Sequence, residues 1–525
     1  MLSLPVELII KILAVLDLRS LLRCRQVCSL LDGLVRNDAS LQYKIELTVA
    51  GMEDGSSSPL LVVERLHKLK LRQDAWNRMR FTSETAVPMR RGGVWELYGG
   101  VLAQSRDDHG LSFRQLPSDI RGIDDVGWTL EDLPMRIRDF SLDPSQELLV
   151  VIEKPRQINT STYLVHLLDL HTGKVHKNAP TQGYLSHCPD GQSFSYMIQT
   201  CGEHLGVLFL SEDETVKELV IWKWRTGALE LVITGAAIGA FVFLSDTQIL
   251  VSHLGGLNDD SEVEPVLGVI DFTEASNVRT PIKDIGFLCL FRFPLMRSWA
   301  APLAVHLRSD PAPSWKPHPD LQVPFHVARE DRLYVVTAWI AEGVAVKTLV
   351  LFLPSQTIFK HLKALTPEEK GRCLNWDEWG PTGSRLLTAP FNHSATWVCY
   401  VHGMAFASVW RSPMVGDERY LQIYDFNPLA VKKFRADLKE GGDYKEDEED
   451  PRITTVIIDE PAHLPSAANL FINPVVTTLP FLWKKFPVDD TRFVAVMLSE
   501  DSVIMVSSQP RIRQYRVLTL EPGPQ

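Results

Sequence analysis

The chain has 525 residues, of which 45% are hydrophobic and 23% are charged. This composition is typical of a folded protein and excludes a disordered or fibrous chain. The length exceeds the roughly 250 to 300 residues at which a single core usually stops growing, so it predicts several domains or one large repetitive domain.

The net charge of −11 is concentrated in one place. Between Asp437 and Asp450, eight acids and two lysines give a net charge of −6. No dense block of lysine and arginine balances it, so the chain lacks the basic face that binds a phosphate backbone, and no nucleic acid partner is predicted. We interpret the acidic run as a solvated loop, with binding of a basic partner or a cation as the alternative.

The N-terminal residues and the cysteines indicate in which cellular compartment the protein is expected. Glu7, Lys11 and Asp17 interrupt the apolar N-terminus, which argues against a signal peptide, and no run of about 18 apolar residues predicts a membrane span. Seven scattered cysteines fit reduced intracellular thiols better than a disulfide framework. We therefore expect a cytoplasmic or nuclear protein with no membrane partner.

Residues 1–50 predict a small module of short helices. Pro5 suits a first helical turn, and Asp17 interrupts the pattern before a second helical stretch at Leu18–Arg25. Ten of the thirteen residues from Leu4 to Leu16 are apolar. A helix in so small a module covers only one of its sides, so this surface predicts a partner; packing against the rest of the chain is the alternative.

The order of residues in this module resembles an F-box. The leading Leu-Pro-x-Glu, the leucine-rich second helix and the Val-Cys pair follow one another over residues 2–46, and Tyr43 stands for the aromatic residue that tends to follow the last helix. The resemblance implies docking on the small adaptor subunit of an SCF-type cullin-RING ubiquitin ligase. The residues assigned to that interface are Leu4, Pro5, Leu8, Ile9, Ile12, Leu16, Leu21, Leu22, Val27 and Cys28.

Residues 51–85 are interpreted as a linker and a connecting helix. Gly51–Pro59 is rich in turn residues and predicts a weakly structured connector. Apolar residues that repeat near 3.6 then predict a helix over Leu60–Trp76.

Residues 86–525 predict one large all-β domain. Short segments rich in valine, isoleucine and aromatic residues alternate with turn residues, and a phrase of strand, turn and strand recurs. Its copies are Tyr163–Lys177, Leu219–Ile233, Val266–Ile282, Leu349–Leu362 and Tyr420–Phe434. The spacing predicts a β-propeller of six to eight blades with long insertions, one of them the proline-rich Ser309–Pro324; a pair of packed β-sandwiches is the alternative.

The predicted fold class is thus α+β multidomain, with a small all-α module followed by the β-propeller. In this arrangement the chain resembles fungal F-box proteins that carry a β-rich C-terminal region. The resemblance implies a non-catalytic subunit that binds the adaptor, and through it cullin, and that presents the β domain to an unknown protein substrate. A propeller-fold hydrolase or lyase and a non-degradative scaffold are the alternatives.

No motif with a clear catalytic mechanism is present, and we predict no catalytic residue, metal or cofactor. Four residues, His187, Cys188, Cys201 and His204, have a spacing that zinc could use, but a structural role is favoured. We interpret Asp143, Asp190 and Asp246 as turn residues rather than acids of a channel. Trp376 and Trp379 are the tryptophans that we expect first at a recognition surface, with the core as the alternative.

Overall fold

The structure is a computed structural model. It describes residues 4–90, 93–155, 162–255, 263–275, 277–389, 400–411, 419–439, 452–464, 470–488, 493–509 and 512–521. The acidic run from Asp437 to Asp450 lies outside these residues from position 440 onward, so its predicted role as a solvated loop stays a prediction.

Five helices open the chain, as the sequence predicts. They are α1 (Val6–Ala14), α2 (Leu18–Arg25), α3 (Ser29–Asn37), α4 (Ala39–Ala50) and α5 (Val62–Asn77). The Asp17 side chain caps α2 by accepting a hydrogen bond from the Ser20 backbone at 3.0 Å. Gly51 ends α4 in the left-handed conformation, with φ of 65°, which a residue without a Cβ adopts at little cost.

The β domain is a propeller of seven four-stranded blades, so the predicted range of six to eight holds and the alternative of two sandwiches is wrong. From the first strand outward, the blades are blade 1 (Trp95–Tyr98, Val101–Ser105, Leu111–Gln115, Val126–Leu130), blade 2 (Ile137–Asp143, Leu148–Glu153, Tyr163–Asp169, Tyr184–His187), blade 3 (Phe194–Cys201, His204–Ser211, Lys217–Lys223, Ala228–Thr234), blade 4 (Ile238–Phe243, Gln248–Gly255, Glu264–Asp271, Cys289–Arg292), blade 5 (Ala300–Arg308, Leu333–Glu342, Ala345–Pro354, Arg385–Thr388), blade 6 (Val401–His402, Ala405–Arg411, Arg419–Asp425, Phe481–Val488) and blade 7 (Phe493–Leu498, Ser502–Gln509, Ile512–Leu520, Phe81–Pro88).

Blade 7 closes the ring with strands from both ends of the chain. Its outermost strand, Phe81–Pro88, pairs antiparallel with Ile512–Leu520. The propeller therefore begins ahead of the predicted boundary at residue 86. This pairing covers the edge of Ile512–Leu520, and Phe81–Pro88 becomes the outermost strand of the blade.

Several blades carry additions at their edges or in their loops. Short further strands lie beside blades 3, 4 and 6, and small strand pairs and 3₁₀ turns occur in the insertions. These are the strands Thr280–Pro281, Arg372–Leu374 and Thr454–Ile458, the pairs Met52–Asp54 with Phe325–Val327 and Ala462–His463 with Val476–Thr477, the helix α7 (Trp376–Gly383) and the 3₁₀ turns Pro144–Gln146, Ile282–Asp284, Pro319–Leu321 and Pro367–Glu369.

Only one of the five recurring phrases, Leu219–Ile233, is a hairpin of two strands of one blade. In Tyr163–Lys177 and Val266–Ile282 the fourth strand of the blade lies beyond the phrase, at Tyr184–His187 and Cys289–Arg292.

The last two phrases contain a helix in place of the second strand. After the third strands of blades 5 and 6 the chain forms helices α6 (Ser355–Ala364) and α8 (Pro428–Lys439). Apolar residues spaced three and four apart, such as Val431 and Phe434, bury one face of each helix. The α6 insertion lies between the last two copies and lengthens the spacing between them.

The core of the propeller lies between neighbouring blades. All six residues of Leu148–Glu153 are buried, because this strand packs against a blade on each side. Apolar clusters of this kind join blades 1 and 2, 2 and 3, and 5 and 6. Trp224 of blade 3 is among the largest fully buried side chains.

Candidate partner-binding surface

Helices α1 to α4 share a small core of their own. Ile9 and Leu13 of α1 pack with Leu21, Leu31 and other apolar residues of the neighbouring helices. The Lys44 ammonium donates to the backbone carbonyls of Ala14 and Leu16 at 2.5 Å, which satisfies carbonyls at the end of α1. The four helices are therefore stabilised by a shared internal core, and the rest of their surface lies outside that core.

Seven apolar side chains of this module are exposed. Leu8 is 44% exposed, Val27 is 72% exposed and Val15 is 81% exposed. The further exposed members are Leu4, Val6, Leu22 and Leu30. We call these seven residues the apolar face. Isolated exposed apolar residues are normal on a protein surface, but seven within one small module make it the region to consider for a partner.

The ten residues assigned to the adaptor interface divide into three groups. Leu4, Pro5, Leu8, Leu22 and Val27 are exposed, while Ile12, Leu16 and Cys28 are half-buried. The assignment of Ile9 and Leu21 to an exposed surface does not hold. They are 1% and 0% exposed, because their side chains fill the core of the module. Val6, Val15 and Leu30 are exposed apolar residues outside the ten assigned ones; the spacing of the first helix could have indicated the exposure of Val15, which lies seven residues after Leu8.

The comparison with known families decides what this module is. The F-box-like family matches residues 1–48. Residues 1–48 are an F-box-like domain. The chain is thus an F-box-like domain followed by a seven-bladed β-propeller. No curated protein matches the chain.

Solved structures similar to this chain include three of low identity. Kluyveromyces lactis Hsv2 is 12% identical over 57% of this chain and 72% of its own, with a TM-score of 0.25. Drosophila Semaphorin 1a, extracellular domains 1-2, is 9% identical over 84% and 87%, with a TM-score of 0.36. The β-propeller domain of the Trilobed protease from Pyrococcus furiosus is 11% identical over 73% and 95%, with a TM-score of 0.27. Nothing about function follows from likeness at this level.

The F-box-like domain is joined to the propeller by buried contacts. The Tyr43 hydroxyl donates to the Pro324 carbonyl at 2.6 Å, and Met52–Asp54 pairs with Phe325–Val327, so the predicted weak connector contains a strand. Tyr43 and Leu47 pack in one core cluster with residues of blades 6 and 7. The orientation of the apolar face relative to the propeller is thereby fixed.

A buried ion cluster strengthens this joint. The Arg72 Nε of α5 donates to Asp501 Oδ1 at 2.8 Å, and the Arg121 Nη1 donates to Glu500 Oε2 at 2.7 Å. Ser118 Oγ donates to Asp501 Oδ2 at 2.7 Å. Burial alone would raise the pKa of Asp501, but Arg121 and Arg72 outweigh it and hold the pKa below its ordinary value of 3.8. The sequence gives no signal for this cluster, because Glu500 and Asp501 stand in an ordinary polar turn.

The four residues with zinc-like spacing do not come together. His187 ends blade 2 and its Nε2 lies 2.8 Å from Glu218 Oε2, whereas Cys201 and His204 face each other across a turn in blade 3. The strand Phe194–Cys201 separates the two pairs, and a strand of that length spans roughly 25 Å. Within the described ranges, no group of three or more His, Cys, Asp or Glu residues could hold a metal ion.

Each of the candidate acids has a partner within the protein. Asp143 accepts hydrogen bonds from Ser145 and Gln146, as the turn interpretation predicts. Asp190 pairs with Arg279 at 2.7 Å, in the connection between blades 2 and 3. Asp246 lies in the first turn of blade 4, where its Oδ1 accepts from Cys201 Sγ at 3.7 Å.

One end of the propeller channel is covered by the proline-rich insertion. The Ala312 backbone donates to the Tyr98 hydroxyl of blade 1 at 3.0 Å, while Ser314 lies beside Gly202 of blade 3. Burial, together with Asp143 and Asp310, raises the pKa of Tyr98 well above its ordinary value. Asp143 of blade 2 and Asp310 of the insertion itself therefore both lie near Tyr98, and both are buried and hydrogen-bonded.

The tryptophans singled out from the sequence belong to the core. Trp376 and Trp379 lie at the start of α7 and are 8% and 1% exposed. Trp379 packs edge-on against Phe291 at 5.4 Å and donates its indole N–H to the Arg292 carbonyl at 3.2 Å. The expectation of a recognition surface at this pair is wrong.

In the part of the chain that the structure describes, no helix is long and apolar enough to span a membrane.

Proposed function

We propose that this chain is the substrate-recognition subunit of an SCF-type cullin-RING ubiquitin ligase. In this proposal the F-box-like domain binds the small adaptor subunit and, through it, cullin. The propeller binds a protein substrate and itself performs no chemistry. The observation that carries the proposal is the apolar face, which lies on the domain that matches the F-box-like family.

The energetics of the apolar face support an obligate partner. Burying one more leucine or valine is worth about 1.5 to 3 kcal/mol, so several such residues together favour association over exposure to water. Tyr43 fixes the F-box-like domain to the propeller, and Arg72 fixes the following helix α5 to it. A rigid joint of this kind suits a subunit that has to hold a substrate in a defined position.

The covered channel end supports the non-catalytic part of the proposal. The acids that meet there are partnered by protein groups, as with Asp310 and Arg308 at 2.7 Å. Asp143 and Asp310 are both buried. A hydrolase would need some of these acids accessible to a substrate.

The test is co-purification of the full chain with the SCF adaptor subunit. A variant with Leu8→Asp and Val27→Asp places two charges on the apolar face without touching the core of the domain. Loss of one central anchor typically costs 2 kcal/mol or more, so we expect at least about 30-fold weaker adaptor binding. Val344→Asp, at a fully exposed valine in a hairpin of blade 5, is the control and should bind as the natural chain does.

Proximity labelling with the same two variants tests the substrate role. Proteins labelled by both variants are partners of the propeller, whereas adaptor and cullin should be lost only with the double variant. Undiminished adaptor binding by the Leu8→Asp and Val27→Asp chain would overturn the assignment of the interface. Propeller partners whose ubiquitination does not depend on adaptor binding would point to the scaffold alternative.

A further inference from the structure

One aromatic side chain differs from all the others in its exposure. Trp299 is 56% exposed, and among the residues that the structure describes it is the only tryptophan, tyrosine or phenylalanine that is neither buried nor half-buried. An aromatic ring has a large apolar area, and leaving that area in water is unfavourable. Tryptophan is also among the residue types most enriched at the centres of protein interfaces, so Trp299 is a candidate contact for a partner.

Trp299 lies at the end of the propeller opposite the proline-rich insertion. It directly precedes the inner strand of blade 5, Ala300–Arg308, and the other end of this strand leads into the insertion Ser309–Pro324. The F-box-like domain is joined to the insertion through the Tyr43 hydroxyl and the Pro324 carbonyl. A partner bound at Trp299 would therefore lie at the other end of the propeller from that joint and would leave it undisturbed.

In and beside the loop that carries Trp299 there are two more exposed apolar side chains. Met296 and Phe471 form an antiparallel bridge, and both of their side chains are buried in the core of the propeller. Next to this bridge, the Ile472 N–H donates to the Leu295 carbonyl at 2.9 Å. Because side chains alternate across a strand, Leu295 and Ile472 point away from the core, and both are exposed. We call Leu295, Trp299 and Ile472 the tryptophan patch.

A guanidinium group adjoins this patch. Arg297 stands between Leu295 and Trp299 in the sequence, and its guanidinium carbon is 5.1 Å from the centre of the Trp299 ring. Its Nε donates to the Phe471 carbonyl at 2.9 Å. Within the described ranges, Arg297 forms no salt bridge and its two terminal nitrogens have no hydrogen-bond partner. Those nitrogens can hold a carboxylate through two parallel hydrogen bonds.

We propose that the tryptophan patch and Arg297 bind a segment of the protein substrate in which an aspartate or glutamate stands close to a large apolar residue. This inference names the substrate class of the proposed function and rests on it. The patch covers the apolar side chain, and Arg297 pairs with the carboxylate. An acidic segment is favoured over a basic one, because no described carboxylate balances the charge of Arg297. The bond to Phe471 and the contact with Trp299 hold the guanidinium in place before binding, which lowers the entropy cost of the pair.

Selection of random peptides of about 12 residues, displayed on phage, against the immobilised full chain tests the substrate class. We expect the selected peptides to share an acidic residue within about two positions of a large apolar one, since two extended residues span about 7 Å. In a synthetic copy of the strongest peptide, exchange of the acidic residue for its amide should weaken binding about tenfold. Selected peptides without a shared acidic residue, or the absence of any selected peptide, would overturn the proposal.

Two variants test whether the peptide binds at the tryptophan patch. Trp299→Ala should weaken binding at least about 30-fold, and Arg297→Gln should bind the acidic peptide and its amide copy equally. Lys363→Gln removes a positive charge from an exposed side chain of helix α6, at the covered end of the same blade, and should keep both the affinity and the preference. Undiminished binding by Trp299→Ala would refute the site. If Trp299→Ala fails to unfold cooperatively, Leu295→Asp places a competing carboxylate beside Arg297 and should weaken the acidic peptide in the same way.

Two further measurements separate this inference from the proposed function and from self-association. Trp299→Ala should co-purify with the adaptor as the natural chain does, because the apolar face belongs to the F-box-like domain. A chain that binds the adaptor but selects no acidic peptide would overturn this inference alone, whereas one that selects the peptide but does not bind the adaptor would overturn the proposed function. Light scattering should give the mass of a monomer; a dimer that Trp299→Ala dissociates would show that a second copy covers the patch and would overturn the proposal.

Discussion

The F-box-like domain and the propeller blades differ in how completely they bury their apolar side chains. A blade strand such as Leu148–Glu153 is buried along its whole length, since another blade covers each of its faces. Helix α1 buries Ile9 and Leu13 and leaves Leu8 and Val15 in water. Such a strand is covered on both faces, whereas the domain leaves apolar side chains that the chain does not cover. Hydrophobic content alone does not distinguish core from interface; what distinguishes them is whether the chain supplies a second face.

The largest loss in the free energy of unfolding is expected when a core tryptophan is substituted. Trp224 is fully buried and donates its indole N–H to the Gly202 carbonyl at 3.0 Å. Trp224→Ala should lower the free energy of unfolding by about 3 to 5 kcal/mol, because it leaves a cavity in blade 3. Denaturant unfolding followed by circular dichroism measures it. A loss below about 1 kcal/mol would contradict the described packing between blades 2 and 3.

The second-largest loss in the free energy of unfolding is expected at the buried ion cluster of Arg72, Arg121 and Asp501. Asp501→Asn leaves Arg72 and Arg121 buried with a neutral partner, and we expect a loss of about 3 kcal/mol. Because the folded-state pKa of Asp501 lies below 3.8, its contribution is present above that pH and is lost as the pH falls further. The stability of the natural chain should therefore decline more steeply below pH 4 than that of Asp501→Asn, as measured by unfolding midpoints between pH 3 and 7. Parallel curves would show that Asp501 does not carry this charge.

A smaller effect is expected where the two regions touch. Tyr43→Phe removes one buried hydrogen bond, to the Pro324 carbonyl, and keeps the ring. The expected loss is about 1 kcal/mol. Hydrogen exchange should show faster opening of Phe325–Val327 in this variant, with the core strands of blade 2 unchanged as the internal control. Unchanged exchange in Phe325–Val327 would mean that the hydroxyl does not hold the joint.

The smallest effect is expected on the apolar face. Leu8→Ala should change the stability of the isolated chain by no more than about 0.5 kcal/mol, because the side chain is 44% exposed and leaves no cavity. The same unfolding assay as for Trp224→Ala measures it. A loss of several kcal/mol would show that the chain itself covers this face, and the contrast between the two regions would fail.

Much of the architecture could be predicted from the sequence, for a physical reason. Helical spacing, cap residues and strand patterns are local, and α2 at Leu18–Arg25 and α5 near Leu60–Trp76 lie where those patterns place them. The blade copies were recognisable at their third strands. Helices α6 and α8 were missed, because a short apolar run fits a buried strand and a buried helix equally well.

The candidate site was only partly predictable. The Leu-Pro-x-Glu start identified the domain, but which apolar residues face inward depends on how four helices pack, so Ile9 and Leu21 could not be separated from Leu8 and Leu22. Contacts between residues that are far apart in the sequence produce no local sequence pattern. Arg72 meets Asp501 across more than 400 positions of sequence, and no spacing rule links them.

The strand Phe81–Pro88 has a consequence for synthesis on the ribosome. It emerges early, after the F-box-like domain and helix α5, yet its partner Ile512–Leu520 is made more than 400 residues later. Helices α1 to α4 rely on nearby contacts and can fold at once, whereas blade 7 has to wait for that partner. A nascent or C-terminally truncated chain would therefore display a formed F-box-like domain beside an unpaired edge strand, a state open to chaperones and to aggregation.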